Sequence, residues 1–576
     1  MDAALAVSWG FRRRRLANLV VAFVVAASIA AIPVRGDTGS PFISVLVRKI
    51  VPGDTQPEQE VIRLGGRVGR PLSIINGFTA TVPATSLAVL KQSHNIHSVS
   101  LDRVVRPMHA VDGFDGATDV GSMYNTTKIV RAQDLWRNNI TGRGIDVALI
   151  DSGVVPVNGL SAGDKVVNGP DLSFESQTDN LRYLDTYGHG THLAGIIAGR
   201  GNDAYTTGSY TNHDYFVGVA PDARVVNVKV AESSGATDVS QVIAAIDWVV
   251  QHRNDNGLNI RVLNISFGTE SAQSYVEDPL AFAAEVAWRS GIVVVAAAGN
   301  EGSSATSLSD PAYDPYVIAV GADNPNGTPD TSDDVIPSWS SRGNGQRNPS
   351  LVAPGQSIVS LRDVGSSIDA NHPEGRVNTR FFKGSGTSQA AAVVSGAAAL
   401  LLQQRPSLTP DQVKKLLTST ANAVPGVDAG AQGAGLINVR AASAAATPAF
   451  TQTHTPATGL GSLESARGST HLSRDGVELN GEQDIFGAAW DANAWSSAAA
   501  AGSSWSGGTW NGNVWAGSDW SGSSWSSSSW SSSSWSSSSW SSSSWSSSSW
   551  SSSSWSSSSW SSSSWSSSSW SSSSWE

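Results

Sequence analysis

The chain has 576 residues and no cysteine, and its 37 basic and 48 acidic residues give a formal net charge of −11. Without thiols there is no disulfide scaffold, thiolate metal site or cysteine nucleophile. The acidic balance argues against nucleic acid or an anionic membrane surface as the main partner.

The first 36 residues read as an export signal peptide. Four arginines at 12–15 precede an uncharged, mainly apolar run at 16–32 that Pro33 ends, with Ala30 and Ala31 as small residues for a signal peptidase. The other reading is an uncleaved anchor, since the run is at the lower edge of spanning length. Either reading places the rest of the chain outside, secreted or at the cell surface. Both Sec and twin-arginine export stay open.

Residues 37–110 carry a net charge of +3 and form a small α+β module. Strands are expected at 43–50, at 78–82, where apolar and polar residues alternate, and at 98–101. Pro83 is expected to open a short helix with Leu87 and Leu90 on one face. A basic module ahead of an acidic body suggests electrostatic docking in cis. Residues 111–127 read as a linker, with the acidic stretch 112–119 as its exposed middle.

Beyond residue 128, apolar runs at 147–150, 225–230, 262–265 and 292–298 alternate with helical patterns such as 239–250. This predicts a mainly parallel α/β sheet with helices on both faces. Ligands in such folds sit outside the carboxyl ends of the strands. The residues there are Asp151, Ser266-Phe267-Gly268 and Gly299-Asn300. Gly188-His189-Gly190-Thr191-His192 leads into an apolar helical stripe and puts His189 at a helix mouth. Gly386-Thr387-Ser388 opens a very apolar helix and presents a hydroxyl among unpaired N–H groups. Acyl transfer needs a nucleophilic oxygen, a base, an acid group to orient the base, and oxyanion donors. All four types are present, in the order Asp151, His189, Ser388. Taken singly, each has a structural reading as a strand-end cap, a core histidine or a helix cap. For His192 the structural reading is kept.

Val147-Ala148-Leu149-Ile150-Asp151-Ser152-Gly153, Gly188-His189-Gly190-Thr191-His192-Leu193-Ala194-Gly195, Ala296-Ala297-Ala298-Gly299-Asn300-Glu301-Gly302 and Gly386-Thr387-Ser388-Gln389-Ala390 resemble the signature blocks of the subtilisin-like serine proteases. The likeness spans residues 128–443, and the module before it resembles the family's inhibitory propeptide. It implies that Ser388 is the nucleophile, His189 the general base and then acid, Asp151 the orienting carboxylate and Asn300 an oxyanion donor. Ser266, Phe267 and Gly268 would pair with substrate backbone, while Ala297 and Gly299 would line the pocket for the residue before the cut. The implied substrates are proteins or peptides, and the implied enzyme is a secreted zymogen that processes itself. Gln389 stands where the family usually has methionine, and Ala392 where it usually has proline. The second functional class is a subtilase-fold surface protein that binds through its tail with weak or no catalysis.

The resemblance requires no cofactor for the chemistry. Calcium is expected only as a stabiliser and no residue is assigned to it, because the Asp- and Asn-rich loop 323–334 reads as a solvated insertion. Thr409-Pro410-Asp411-Gln412 is a capping box that opens a helix closing the catalytic domain. Residues 444–504, rich in alanine, glycine, serine and threonine, read as a linker. From 505 to 576 tryptophan recurs every five residues, finally as strict Trp-Ser-Ser-Ser-Ser. This tail is expected to be adhesive, toward cell wall, glycan or its own kind.

Overall fold

The computed structural model describes residues 42–101 and 114–514, apart from short gaps at 163–164, 179, 205, 305–306, 475–476 and 507. The signal peptide, residues 105–113 of the maturation window and the repeats beyond 514 lie outside the described residues. Two compact units divide at Pro107 and Met108.

The first unit runs β1 (Phe42–Lys49), α1 (Gln56–Arg63), β2 (Arg67–Leu72), β3 (Gly77–Pro83), α2 (Leu87–Lys91) and β4 (Ile96–Leu101). Its antiparallel sheet has the order β2-β3-β1-β4. The alternation seen in the sequence puts Val45, Val47, Phe78, Ala80 and Val82 in a core with Val61, Leu90 and Val99. Leu101, at the end of the edge strand β4, is 42% exposed.

The second unit begins with α3 (Met123–Ile129) and α4 (Ala132–Trp136) and continues through β5 (Asp146–Asp151), β6 (Val166–Asp171), α5 (His189–Ala198), β7 (Arg224–Lys229) and α6 (Val239–His252). Then come β8 (Ile260–Ile265), α7 (Pro279–Arg289), β9 (Val293–Ala297), β10 (Ile318–Asp323) and β11 (Leu351–Pro354). The seven strands pair in parallel in the order β11-β10-β9-β8-β5-β7-β6. From β5 the chain passes to the edge strand β6 and returns inward to β7, then crosses to β8 on the other side of β5 and works outward to β11. The order therefore reverses beside the carboxyl end of β5, where a ligand crevice opens. Every residue of β5, β9 and β10 is buried, as a sheet covered on both faces requires.

A hairpin of β12 (Ile358–Leu361) and β13 (Phe381–Gly384), with α8 (Ser367–Asn371) between them, precedes α9 (Thr387–Gln404). Helix α9 is buried from Thr387 to Leu402 and packs on β8, β9, β10 and β11. In α10 (Pro410–Ser419) the expected capping box forms, with Thr409 and Gln412 bonding each other's backbone N–H. Two short helices follow, α11 (Ala429–Gln432) and α12 (Val439–Ala444). Among the described residues no helix is long and apolar enough to cross a membrane.

Two expectations need correction. Residues 444–504 are not a linker. They carry α13 (Leu463–Arg467), the pair β14 (Ser473–Arg474) and β15 (Val477–Glu478), and α14 (Ala492–Ala500), and a meander of β16 (Trp505–Ser506), β17 (Thr509–Trp510) and β18 (Asn513–Val514) continues them. Arg467, 1% exposed, pairs at 2.7 Å with Asp238, the residue that caps α6. Trp495 and Trp510 are fully buried, and both donate their indole N–H to Asp247 on α6, at 2.9 and 2.8 Å. A few large anchors fix a segment whose average composition is that of a flexible chain. Second, the loop after β10 is not simply solvated, since Asp323 and Asp334 are 0% and 4% exposed.

Candidate active site

Asp151, the last residue of β5, is 1% exposed. The ring of His189, the first residue of α5, faces it, with Nδ1 2.8 and 3.0 Å from the two carboxylate oxygens. A carboxylate there fixes the ring's orientation and tautomer, with the proton on Nδ1. Asp151 Oδ1 also accepts from the Ser152 N–H at 2.8 Å.

The turn into α5 is held by a group that sequence reasoning did not nominate. The Asp185 carboxylate accepts from the N–H groups of Gly188 and Thr191 at 2.6 and 2.7 Å, so it takes over donors that a helix start leaves unpaired. The Ser152 hydroxyl lies between the two carboxylates, 2.8 Å from Asp185 and 3.2 Å from Asp151, and accepts from the Gly190 N–H at 3.0 Å. Burial pushes the Asp185 carboxyl above the usual carboxylate range, and its donors from Gly188 and Thr191 pull it back. Gly188 caps the helix with φ +106°, and a Cβ there would collide with Ser366 Oγ, so the turn tolerates only glycine.

Below this layer the fully buried Lys229 ammonium, at the end of β7, lies 2.6 Å from Glu175, which also accepts from Thr186 at 2.7 Å. Burial alone would lower the Lys229 pKa, but Glu175 and Asp171 hold it above the ordinary lysine value. His192 lies one turn beyond His189. Its Nε2–H donates to the Phe382 carbonyl at 3.2 Å, and burial, then His189, push it down to about 3. It is a neutral packing histidine between α5 and β13.

Ser388 is the second residue of α9 and is 3% exposed. Its neighbour Thr387 ties the start of α9 to the segment after β9. The Thr387 N–H and hydroxyl both donate to Asn300 Oδ1 at 3.0 Å, and the Gly299 N–H donates to that hydroxyl at 3.2 Å. With its carbonyl oxygen fixed, the Asn300 amide nitrogen lies 3.7 Å from a Cβ built on Gly386, the same distance as the Ser388 backbone nitrogen. Two amide nitrogens thus lie near one point at the N-terminus of α9, an end that favours negative charge. Helices α5 and α9 pack on one another.

Residues 266–268 continue β8 and residues 297–299 continue β9. Phe267 is 3% exposed within the core, so that stretch can offer a substrate only its main chain. Ser309 lies between these two stretches. A Cβ on Gly268 would come within 2.7 Å of its Cβ, and one on Gly299, where φ is +110°, would strike its hydroxyl. The Glu301 carboxylate, which accepts from Ser341 at 2.9 Å, is 2.5 Å from the same Gly299 position. Burial raises its pKa. Glu301 belongs to the block 296–302 read from the sequence, whereas Ser309 carries no local signal and only the fold brings it beside Gly268 and Gly299.

A family model for the subtilase family matches residues 142–435. The chain is 35% identical over 373 residues to "Serine protease AprX" of Bacillus subtilis, a match covering 63% of this chain and 78% of that protein. It is 33% identical over 381 residues to "Subtilisin E" of Bacillus subtilis, covering 66% and 84%. Among solved structures, fervidolysin from Fervidobacterium pennivorans, titled a keratinolytic enzyme related to subtilisin, matches at 25% identity and a TM-score of 0.45. That match covers 72% of this chain and 63% of the other.

Proposed function

The chain belongs to the subtilase family and is a subtilisin-like serine endopeptidase, and from that premise we propose how its residues divide the work. Ser388 Oγ attacks the scissile carbonyl while His189 Nε2 takes its proton. The carbonyl oxygen becomes an oxyanion that accepts from the Asn300 amide and the Ser388 N–H. His189 returns the proton to the leaving amine, the bond to nitrogen breaks, and an acyl-enzyme remains. Water, deprotonated by His189, then attacks the acyl carbonyl, and Ser388 leaves with the proton. Asp151 stays ionised throughout and stabilises the imidazolium. The observation that carries this reading is the His189–Asp151 pair at 2.8 Å, with Ser388 at the mouth of α9 and Asn300 pinned through Thr387.

Asn300→Ala tests the oxyanion role. kcat should fall about 10²–10³-fold with KM little changed, the range established for the oxyanion asparagine of subtilisin. A KM effect alone would assign Asn300 to ground-state binding. Substrates bind extended along residues 266–268 by main-chain pairing, which recognises proteins and peptides with modest sequence preference.

Export through residues 1–36, inhibition in cis by residues 37–110 and self-cleavage between 105 and 128 complete the proposal. The first unit's own core and its antiparallel sheet support a separable propeptide. Attachment through the tryptophan repeats is tested by truncation after Val514. A cut after Ser504 would strip Trp505 and Trp510 from the folded unit and confuse adhesion with stability. Loss of binding to insoluble wall fractions after the Val514 cut supports attachment, and unchanged binding refutes it.

A further inference from the structure

The segment after residue 444 docks on the two stretches of chain that leave the sheet on either side of Asp151. Strands β8 and β7 flank β5 in the sheet, so the residues that follow them, 266–273 and 230–238, border the crevice at the end of β5. The first stretch holds the strand assigned to substrate pairing. The second lies against the turn into α5, since a Cβ on Gly235 would come within 2.7 Å of the Tyr187 ring, two residues before His189. Both stretches are tied to α13.

On the β8 side Thr269 is the junction. Its main chain forms a two-way pair with Asp310, next to Ser309, with N–H to carbonyl distances of 3.2 and 2.9 Å. Its hydroxyl donates to the Ala466 carbonyl at 2.5 Å. The Ala272 N–H and the Ser271 hydroxyl donate to the Ser465 carbonyl at 2.9 and 3.2 Å. Gln273 Nε2 donates to the Ser462 carbonyl at 2.8 Å, and the Ser462 N–H donates back to Gln273 Oε1 at 3.0 Å. On the β7 side, Arg467 Nε donates to Asp238 at 2.7 Å, and both side chains are 1% exposed. The other two guanidinium nitrogens donate to the Gly481 and Gln483 carbonyls at 2.7 and 2.5 Å. A planar fork held on all sides in a dry site has one geometry, so it fixes α13 relative to Asp238.

We propose that α13 is a clasp that sets the separation of the two rims of the substrate cleft, and that Arg467 is its positioning residue. The inference rests on the reading that residues 266–268 pair with substrate main chain. Such pairing needs N–H and carbonyl groups held to a narrow range of distance and angle. A strand fixed before the substrate arrives also spares binding the cost of ordering it. The clasp therefore favours extended peptides that occupy several positions before the cut. A substrate with one residue there engages little of the strand and gains little from it.

The test is Arg467→Met, which keeps an unbranched stem and removes the fork. kcat/KM is measured on the mature enzyme with two peptide amides that share the residue before the cut, one carrying that residue alone and the other four residues. Two or three main-chain hydrogen bonds are together worth about 30- to 100-fold, so lengthening the peptide should raise kcat/KM of the wild type by about that factor. In Arg467→Met the gain should shrink about fivefold or more, while kcat/KM on the short amide stays within about threefold. A loss of stability alone lowers both substrates alike and leaves the ratio unchanged. An unchanged ratio overturns the clasp and leaves the substrate strand standing; no gain in the wild type overturns the strand, and the clasp with it. Should Arg467→Met fail to fold, Gly468→Ala decides by the same ratio, because a Cβ there would collide with the Glu270 carbonyl and part α13 from the strand.

Discussion

Ser388→Ala should lower kcat about 10⁶-fold while KM stays within a few fold, and the full-length precursor should no longer trim itself between residues 105 and 128. The size follows from the groups acting as a unit, and it is the loss found in subtilisin when the nucleophile or the base is removed alone. His189→Ala should therefore cost about as much, and the double variant little more than either. Asp151→Asn should retain somewhat more activity, falling about 10⁴-fold, because the ring stays in place while its preferred tautomer reverses. Steady-state kinetics on a peptide amide, with N-terminal mapping of each purified precursor, measure both effects. Independent, additive losses from Ser388 and His189 would mean that they do not share one proton transfer.

Trp495→Ala should destabilise the second unit by about 3–5 kcal/mol, the usual cost of removing a buried tryptophan. Trp495 packs edge-on against Phe282 of α7 at 5.6 Å and on Trp490 at 5.0 Å, and its N–H reaches the buried Asp247. Burial pushes Asp247 up to about 6 despite the two indole donors. A carboxyl raised in this way binds more protons folded than unfolded, since its unfolded value is about 3.9. Its contribution to stability is therefore lost as pH rises from about 4 to about 6. Losing one donor pushes the folded pKa higher still, so Trp495→Ala should extend that loss above pH 6. Denaturant unfolding across pH 4–8, in a Ser388→Ala background, reads both the mean cost and the added slope. A cost below about 1 kcal/mol would show that the segment after residue 444 is a loose extension, as its composition suggests.

The contrast between these two regions shows what a sequence exposes. Strands β5, β7, β8 and β9 were legible because burial on both faces writes them as unbroken apolar runs. Strand β6 was not, since it lies at the edge and contains Asn168-Gly169-Pro170. The hairpin of β12 and β13 has four-residue strands, too short for a period to register. The segment 444–514 was hidden for another reason. Its folding rests on a few contacts about two hundred or more residues away in sequence, such as Arg467 with Asp238 and Trp510 with Asp247. At the site, Asp151, His189, Asn300 and Ser388 stood out because each belongs to a local motif at a strand end or helix start. Asp185 and Ser309 take their places through contacts that only the folded chain makes.

The most direct measurement is covalent labelling of the mature enzyme with diisopropyl fluorophosphate, followed by peptide mapping. The account predicts one phosphoryl group per chain, on Ser388, with activity lost in proportion to labelling and no labelling of Asp151→Asn at a comparable rate. Inactivation with Ser388 unmodified, or full labelling of Ser388 with activity retained, would contradict it.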